Sequence, residues 1–237
     1  MPTGLSTRCL VPEQMDNSQL DQACHHAALD GLSRINWWSR SAQTLWPLIA
    51  GLTHQLAPRA TRILDIATGG GDVPIRLWQR AARRRLPLEI HGCDRSPVAV
   101  AHAKTLAQRR GAPVDFFPLD ALTQRLPTTY DVLTCSLFLH HLTTADAITL
   151  LQHMRAATRH LVLVLDLART RLGLGLAHAG THLLTRSTVV HHDGPQSVRA
   201  AYTARELHEL ADAAGLASVS IRTAWPCRLL LVWRRDE

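Results

Sequence analysis

The sequence predicts a doubly wound α/β fold, and three observations carry that prediction. From residue 62 onward, short apolar runs alternate with helical patterns. The runs are almost continuously hydrophobic, as strands covered on both faces of a parallel sheet must be. A glycine-rich turn, Thr68-Gly69-Gly70-Gly71-Asp72, closes the first run where a strand hands over to a helix. Five such runs and two closing ones give a mostly parallel seven-stranded sheet with an antiparallel C-terminal strand.

The elements follow in order. Leu45, Leu48, Ile49, Leu52 and Leu56 share one helical face, and Leu20, Cys24, Ala27 and Ala28 form a weaker stripe upstream. Two or three amphipathic helices are therefore expected before residue 61, and residues 1–60 read as an N-terminal helical lid. The parallel strands are expected at 62–67, 88–94, 114–120, 130–137 and 160–167. Ser96-Pro97 is an N-cap with proline at the first helical position. Thr143-x-x-Asp146 and Thr203-x-x-Glu206 have capping-box spacing. Residues 168–200 form an insertion with a helical stretch near 172–185, and a connection that long reads as a lid or pocket wall. The runs 218–225 and 228–235 flank Pro226-Cys227 and read as a hairpin. The main domain is thus expected over 61–237.

Composition narrows the class. The chain has 237 residues and is 46% hydrophobic, enough to bury a core without disulfides or metal. Its longest uncharged apolar run, Leu172–Thr185, is shorter than the roughly 18 to 20 residues a membrane span needs. The stretch 1–18 shows no apolar signal segment. Five cysteines (Cys9, Cys24, Cys93, Cys135, Cys227) show no CxxC spacing, which argues against a thiolate zinc site and for a reducing, cytoplasmic setting. The formal charge of +7 rests on arginine, with Lys104 as the one lysine. That charge invites a nucleic-acid partner, but the basic residues are scattered, and none is expected.

The glycine turn points to a ligand site. Its backbone amides can approach a bound molecule unobstructed, and the next helix N-terminus faces the same space. In the dinucleotide pattern G-x-G-x-x-G, Pro74 stands where the third glycine belongs, and no P-loop pattern exists. The motif Leu64-Asp65-Ile66-Ala67-Thr68-Gly69-Gly70-Gly71-Asp72 resembles instead the signature of class I S-adenosylmethionine-dependent methyltransferases. Asp94 ending the second run, Asp120 after the third and Tyr130-Asp131-Val132 opening the fourth extend the resemblance across roughly residues 60–167. The resemblance implies a Rossmann-like fold and S-adenosylmethionine as cofactor. It implies a cofactor site of Asp65, Ala67, Thr68, Gly69, Gly71, Asp94, Arg95, Asp120, Ala121, Cys135 and Ser136. Within it, Asp65 would orient the loop and help hold the methionine ammonium, Asp94 would accept from the ribose hydroxyls and Asp120 from the adenine amino group.

The acceptor side is read from residues after the fourth run. His140 and His141 are the candidate general bases; the alternative is that one is a solvated loop histidine and the other packs on the lid. Asp166 is either a wall residue or a loop start, and Asp131 reads as structural. Leu137, Phe138, Leu139 and Leu142 suggest an apolar pocket. Trp37 and Trp38 either cover it or belong to the core; His192, Arg199 and Tyr202 complete the expected substrate pocket. His191-His192-Asp193 has metal-ligand chemistry but no further ligand set, so no metal is expected. Residues of GLSRIN (31–36) and of the stretch 192–207 resemble bacterial methyltransferases of secondary metabolism and of the ubiquinone/menaquinone type. That resemblance implies a small apolar, phenolic or polyketide-like acceptor and O-methylation. An RNA or protein methyltransferase, or a non-catalytic cofactor-binding protein, are the alternatives, and a homodimer is left open.

Overall fold

A computed structural model of the chain describes residues 5–16, 20–127 and 130–235. Parts of the N-terminal stretch 1–18 lie outside the described residues. One seven-stranded sheet has the order β3-β2-β1-β4-β5-β7-β6. Strands β1 (Thr61–Ile66), β2 (Leu88–Asp94), β3 (Asp115–Pro118), β4 (Tyr130–Ser136) and β5 (Thr158–Leu167) are parallel. β7 (Arg228–Arg234) runs antiparallel to both β5 and β6 (Ser220–Ala224). The strand order reverses beside β1, which pairs with β2 on one side and β4 on the other. Such a switch point leaves a crevice at the carboxyl edge of the strands.

Both faces of the sheet are covered, which explains the continuous apolar runs. Ile63, Val132, Leu163 and Leu165 face α2 (Ser41–Leu56), α3 (Asp72–Arg84) and α4 (Pro97–Arg109). Leu64, Leu133, Cys135 and Val164 face α5 (Thr144–Ala157) and α8 (Ala204–Ala213). The predicted helix starts are present. The Ser96 hydroxyl accepts from the Ala99 N–H at 3.3 Å, and Thr143 accepts from Asp146 at 3.2 Å. Thr203 and Glu206 form a reciprocal capping box, with bonds of 3.3 and 2.8 Å. At the opposite edge of the sheet Asp131 accepts from Arg59 at 2.8 and 3.0 Å and from the Arg62 N–H at 2.9 Å, a structural role.

Two segments differ from expectation. Within the lid expected at 1–60, α2 is a layer helix, because Leu45, Ile49 and Leu52 join the main core. Only the first helix, α1 (Gln22–Trp38), and the 3-10 turn Gln14–Asp16 lie over the crevice. The insertion holds two helices rather than one, α6 (Arg171–Leu184) and α7 (Thr188–Ala200). α7 continues through Gly194-Pro195. Gly194 is required there because a Cβ would lie 2.6 Å from the Thr181 side chain of α6. Among the described residues no helix is long and apolar enough to cross a membrane.

Candidate active site

The carboxyl edge of the sheet opens into a cavity of about 930 Å³. The loop after β1 and the ends of β2, β4 and β5 form its floor, and α1, α6 and α7 cover it. Gly69 has φ +53°, and a Cβ there would meet nothing nearer than Leu29 at 3.9 Å, so the loop backbone is laid open to the cavity. Three non-glycine residues on the wall, Ala67, Leu137 and Cys227, also take left-handed conformations, with φ of +51°, +56° and +49°. Each costs about 1 to 3 kcal/mol, and strain of this kind gathers where backbone is shaped for a ligand.

On one side of the cavity stand Ala67, Thr68, Gly69, Asp94, Arg95, Asp120, Ala121 and Ser136. Asp94 ties the loop to α4, because its carboxylate accepts from the Gly69 N–H and the Ser96 N–H, each at 2.9 Å. Each oxygen keeps a further lone pair. Burial raises the Asp94 proton affinity, and those two amides partly offset it. Asp120 is fixed by the Leu122 N–H at 2.9 Å. The Ser136 hydroxyl is buried with no hydrogen-bond partner.

Three expected cofactor contacts stand behind this wall rather than on it. Asp65 lies beneath the loop, accepting from Thr68 Oγ1 at 2.8 Å and Thr134 Oγ1 at 2.6 Å. Its burial pushes the carboxyl up to about 7, despite the two hydroxyl donors. It shapes the loop and does not reach the cavity. Gly71 has φ +75°, and a Cβ would fall 2.7 Å from Phe116 and 2.8 Å from Ala103, so its requirement is packing. Cys135, of which only the backbone carbonyl is expected to serve the cofactor, turns its side chain into the core beside β4, where burial pushes the thiol well above the usual range.

On the other side, His140 and His141 sit in a 3-10 turn, Leu139–His141, directly after β4. His140 is buried, and its Nδ1 lies 2.5 Å from Asp166 Oδ1. The second Asp166 oxygen accepts from the His140 N–H at 3.2 Å, while Oδ1 also accepts from the Leu167 N–H at 2.6 Å. Burial works to raise the Asp166 carboxyl, but the imidazole and these donors hold it below the usual range. An ionised carboxylate can only accept, so Nδ1 carries the proton it donates to Asp166 and Nε2 is left with the free lone pair. Glu13 Oε1 stands 3.9 Å from that Nε2, and Glu13 Oε2 stands 3.8 Å from His141 Nδ1. Arg8 straps the turn by donating to the carbonyls of His140 and Leu142 at 2.7 and 2.6 Å. Donor atoms of Glu13, His140 and His141 all lie within 4.8 Å of one another, a set able to hold a cation. The His191-His192-Asp193 cluster is arranged otherwise. Asp193 is turned inward to accept from the Gln14 and Met15 amides at 3.0 Å each.

Of the expected substrate pocket, Trp38 and Phe138 line the cavity. Trp38 is 39% exposed and packs on Trp225 with ring centroids 5.8 Å apart, so it sits at the mouth and is not core. Trp37 is 59% exposed and off the wall. His192 and Arg199 lie on the outer face of α7. Tyr202 is buried under the Arg8 guanidinium, 4.0 Å from its ring, and its hydroxyl donates to the Leu142 carbonyl at 3.3 Å. It supports the histidine turn from behind. Sequence reasoning missed Glu13, Asn36, Asp72 and Arg228, which all line the cavity. Asp72 accepts from the Asn36 amide at 3.2 Å, and burial pushes its carboxyl up to about 6.

Residues 63–160 match a family model described as a methyltransferase domain. A demethylmenaquinone methyltransferase from Thermus thermophilus is 40% identical over 76 residues, spanning 32% of this chain and 32% of that protein. The match thus spans about a third of the curated relative. The fold is similar to a magnesium protoporphyrin IX methyltransferase from Synechocystis solved with bound SAH. The two are 19% identical, with 83% of each chain covered and a TM-score of 0.56. It is also similar to the plantazolicin methyltransferase BpumL, solved with a triazolic desmethylPZN analog and SAH. That pair is 14% identical, with 94% and 88% covered and a TM-score of 0.61. A SAM-dependent methyltransferase from Aquifex aeolicus matches at 14% identity, 91% and 99% coverage and a TM-score of 0.58.

Proposed function

We propose that this chain, whose residues 63–160 match a methyltransferase domain model, is a class I S-adenosylmethionine-dependent methyltransferase that methylates a hydroxyl of a small, largely apolar molecule such as a phenol. The methyl donor is S-adenosylmethionine, and the residues present suit it. The open backbone at Gly69, the spare lone pairs of Asp94 and the unpartnered Ser136 hydroxyl give a donor and acceptor set for a nucleoside with an amino-acid tail. When bound, the cofactor supplies an electrophilic methyl group.

The observation that carries the O-directed reading is the pairing of His140, on the cavity wall, with the buried Asp166 behind it. A hydroxyl is a weak nucleophile until its proton leaves. His140 Nε2 is the acceptor for that proton, because Asp166 engages Nδ1 at 2.5 Å and stabilises the imidazolium that forms. Leu29, Leu32, Phe138 and Leu176 line the same space and exclude water from the reacting atoms. These groups support an apolar acceptor; α1, the Gln14–Asp16 turn, α6 and α7 contribute its cover.

The test is a panel of phenols, quinols and RNA incubated with labelled S-adenosylmethionine. Label on a phenolic oxygen is expected. Label on RNA alone, with binding that weakens steeply with salt, would overturn the reading. The trio Glu13, His140 and His141 supports a second reading, in which a divalent cation lowers the hydroxyl proton affinity instead. Chelator treatment separates the two: full activity after metal removal favours the base, and loss restored by added zinc or manganese favours the cation.

A further inference from the structure

The Arg228 side chain, the first residue of β7, is almost wholly buried and lines the cavity floor. Its Nη1 donates to Ser41 Oγ at 2.5 Å, at the start of α2. Its Nε has no hydrogen-bond partner. Asp166 and Asp72 act on it through space, and Asp72 Oδ2 is likewise a buried oxygen without a hydrogen bond. Burial lowers the guanidinium to about 10, opposed by those two carboxylates, so it remains a cation at neutral pH. A buried guanidinium with an unsatisfied N–H is costly unless something pairs with it. Packing α2 accounts for Nη1 and leaves Nε unexplained.

We propose that Arg228 is a carboxylate-binding site in the floor of the cavity. A guanidinium edge matches a planar carboxylate with two parallel hydrogen bonds, which a neutral phenol cannot supply. Two carboxylates can arrive there: the amino-acid end of the cofactor, or an acid group on the acceptor. The proposal rests on the methyltransferase reading and deepens it, because the second source makes the acceptor an aromatic or aliphatic acid.

The experiment is calorimetric titration of the wild-type protein with S-adenosylhomocysteine and with its decarboxylated analogue. Arg228→Lys and Arg228→Met follow, with thermal melting as a check on folding. If the cofactor is the source, the wild type prefers the carboxylate form by roughly tenfold to a hundredfold, and Arg228→Met abolishes that preference. If the acceptor is the source, cofactor affinity does not move with Arg228. A hydroxybenzoate titrated into the S-adenosylhomocysteine complex then binds the wild type, whereas its methyl ester does not, and Arg228→Met removes the difference. A wild type that discriminates neither pair overturns the proposal, even where the variants fail to fold. A wild type that binds no S-adenosylhomocysteine overturns the methyltransferase reading, and this inference with it.

Discussion

The two sides of the cavity are built on different principles. The side at β1, β2 and β3 comes from short segments in chain order, held by backbone amides: Asp94 on Gly69 and Ser96, Asp120 on Leu122. The side at β4, β5 and β7 comes from pieces far apart in sequence. Glu13 reaches His140, Asp166 orients it, Arg8 straps its turn, and Arg228 arrives from the other end of the chain. The first side repeats what the fold needs to bind one molecule. The second is assembled by side chains reaching across from distant segments, to backbone groups as well as to one another, and is where the proposed acceptor chemistry lies.

If that division is right, the sides separate under mutation. The largest effect is expected at the assembled side. Replacing His140 by Ala, or Asp166 by Asn, lowers kcat by about 10²- to 10⁴-fold while calorimetry finds cofactor affinity unchanged. A matching loss of affinity would break the comparison.

Next comes the packing beneath the loop. Gly71→Ala forces a left-handed alanine into Phe116 and Ala103, a destabilisation of about 2 to 4 kcal/mol readable in denaturant melts. An unchanged midpoint would show that the loop can shift.

Asp65 sharpens the comparison through pH. Its folded proton affinity, about 7, exceeds the ordinary 3.8. The native state therefore holds the proton more tightly, and this contribution to stability is full below about 3.8. It falls as pH rises and is gone above about 7. Asp65→Asn keeps no such proton, so its stability relative to wild type rises by on the order of 2 kcal/mol from about pH 5 to about pH 8. Parallel stability curves would place Asp65 in a more polar setting than its Thr68 and Thr134 hydrogen bonds indicate.

The two sides also differed in how far the sequence revealed them. Strand positions, the sheet's antiparallel end and the caps at Ser96, Thr143 and Thr203 were legible, because each rests on local periodicity or on two residues at fixed spacing. Asp94 and Asp120 were legible because a strand end puts them at the crevice. Asp65 and Gly71 were noticed for the right loop, but the Asp65 carboxylate turns beneath it to Thr68 and Thr134, and Gly71 packs on Phe116 and Ala103, one layer below the cavity. Glu13 was not legible: it sits in an aperiodic segment, and only the fold brings it to His140. Arg228 was hidden because it opens an apolar strand, and nothing local shows that its face of β7 meets the cavity. Tyr202 and Asp193 belong to the same region but are consumed internally, by Arg8 and by the Gln14 and Met15 amides. The second helix of the insertion was obscured by Gly194-Pro195, whose small residue serves the contact between α6 and α7.

The most direct measurement is of Asp94→Ala against wild type: calorimetric affinity for S-adenosylhomocysteine together with kcat at saturating cofactor. The expected result is wild-type binding with affinity lowered in the variant by about 1.5 to 3 kcal/mol and kcat preserved, because Asp94 belongs to the amide-built side alone. Equal affinity in both proteins, or no binding by either, would contradict the assignment of that side to the cofactor.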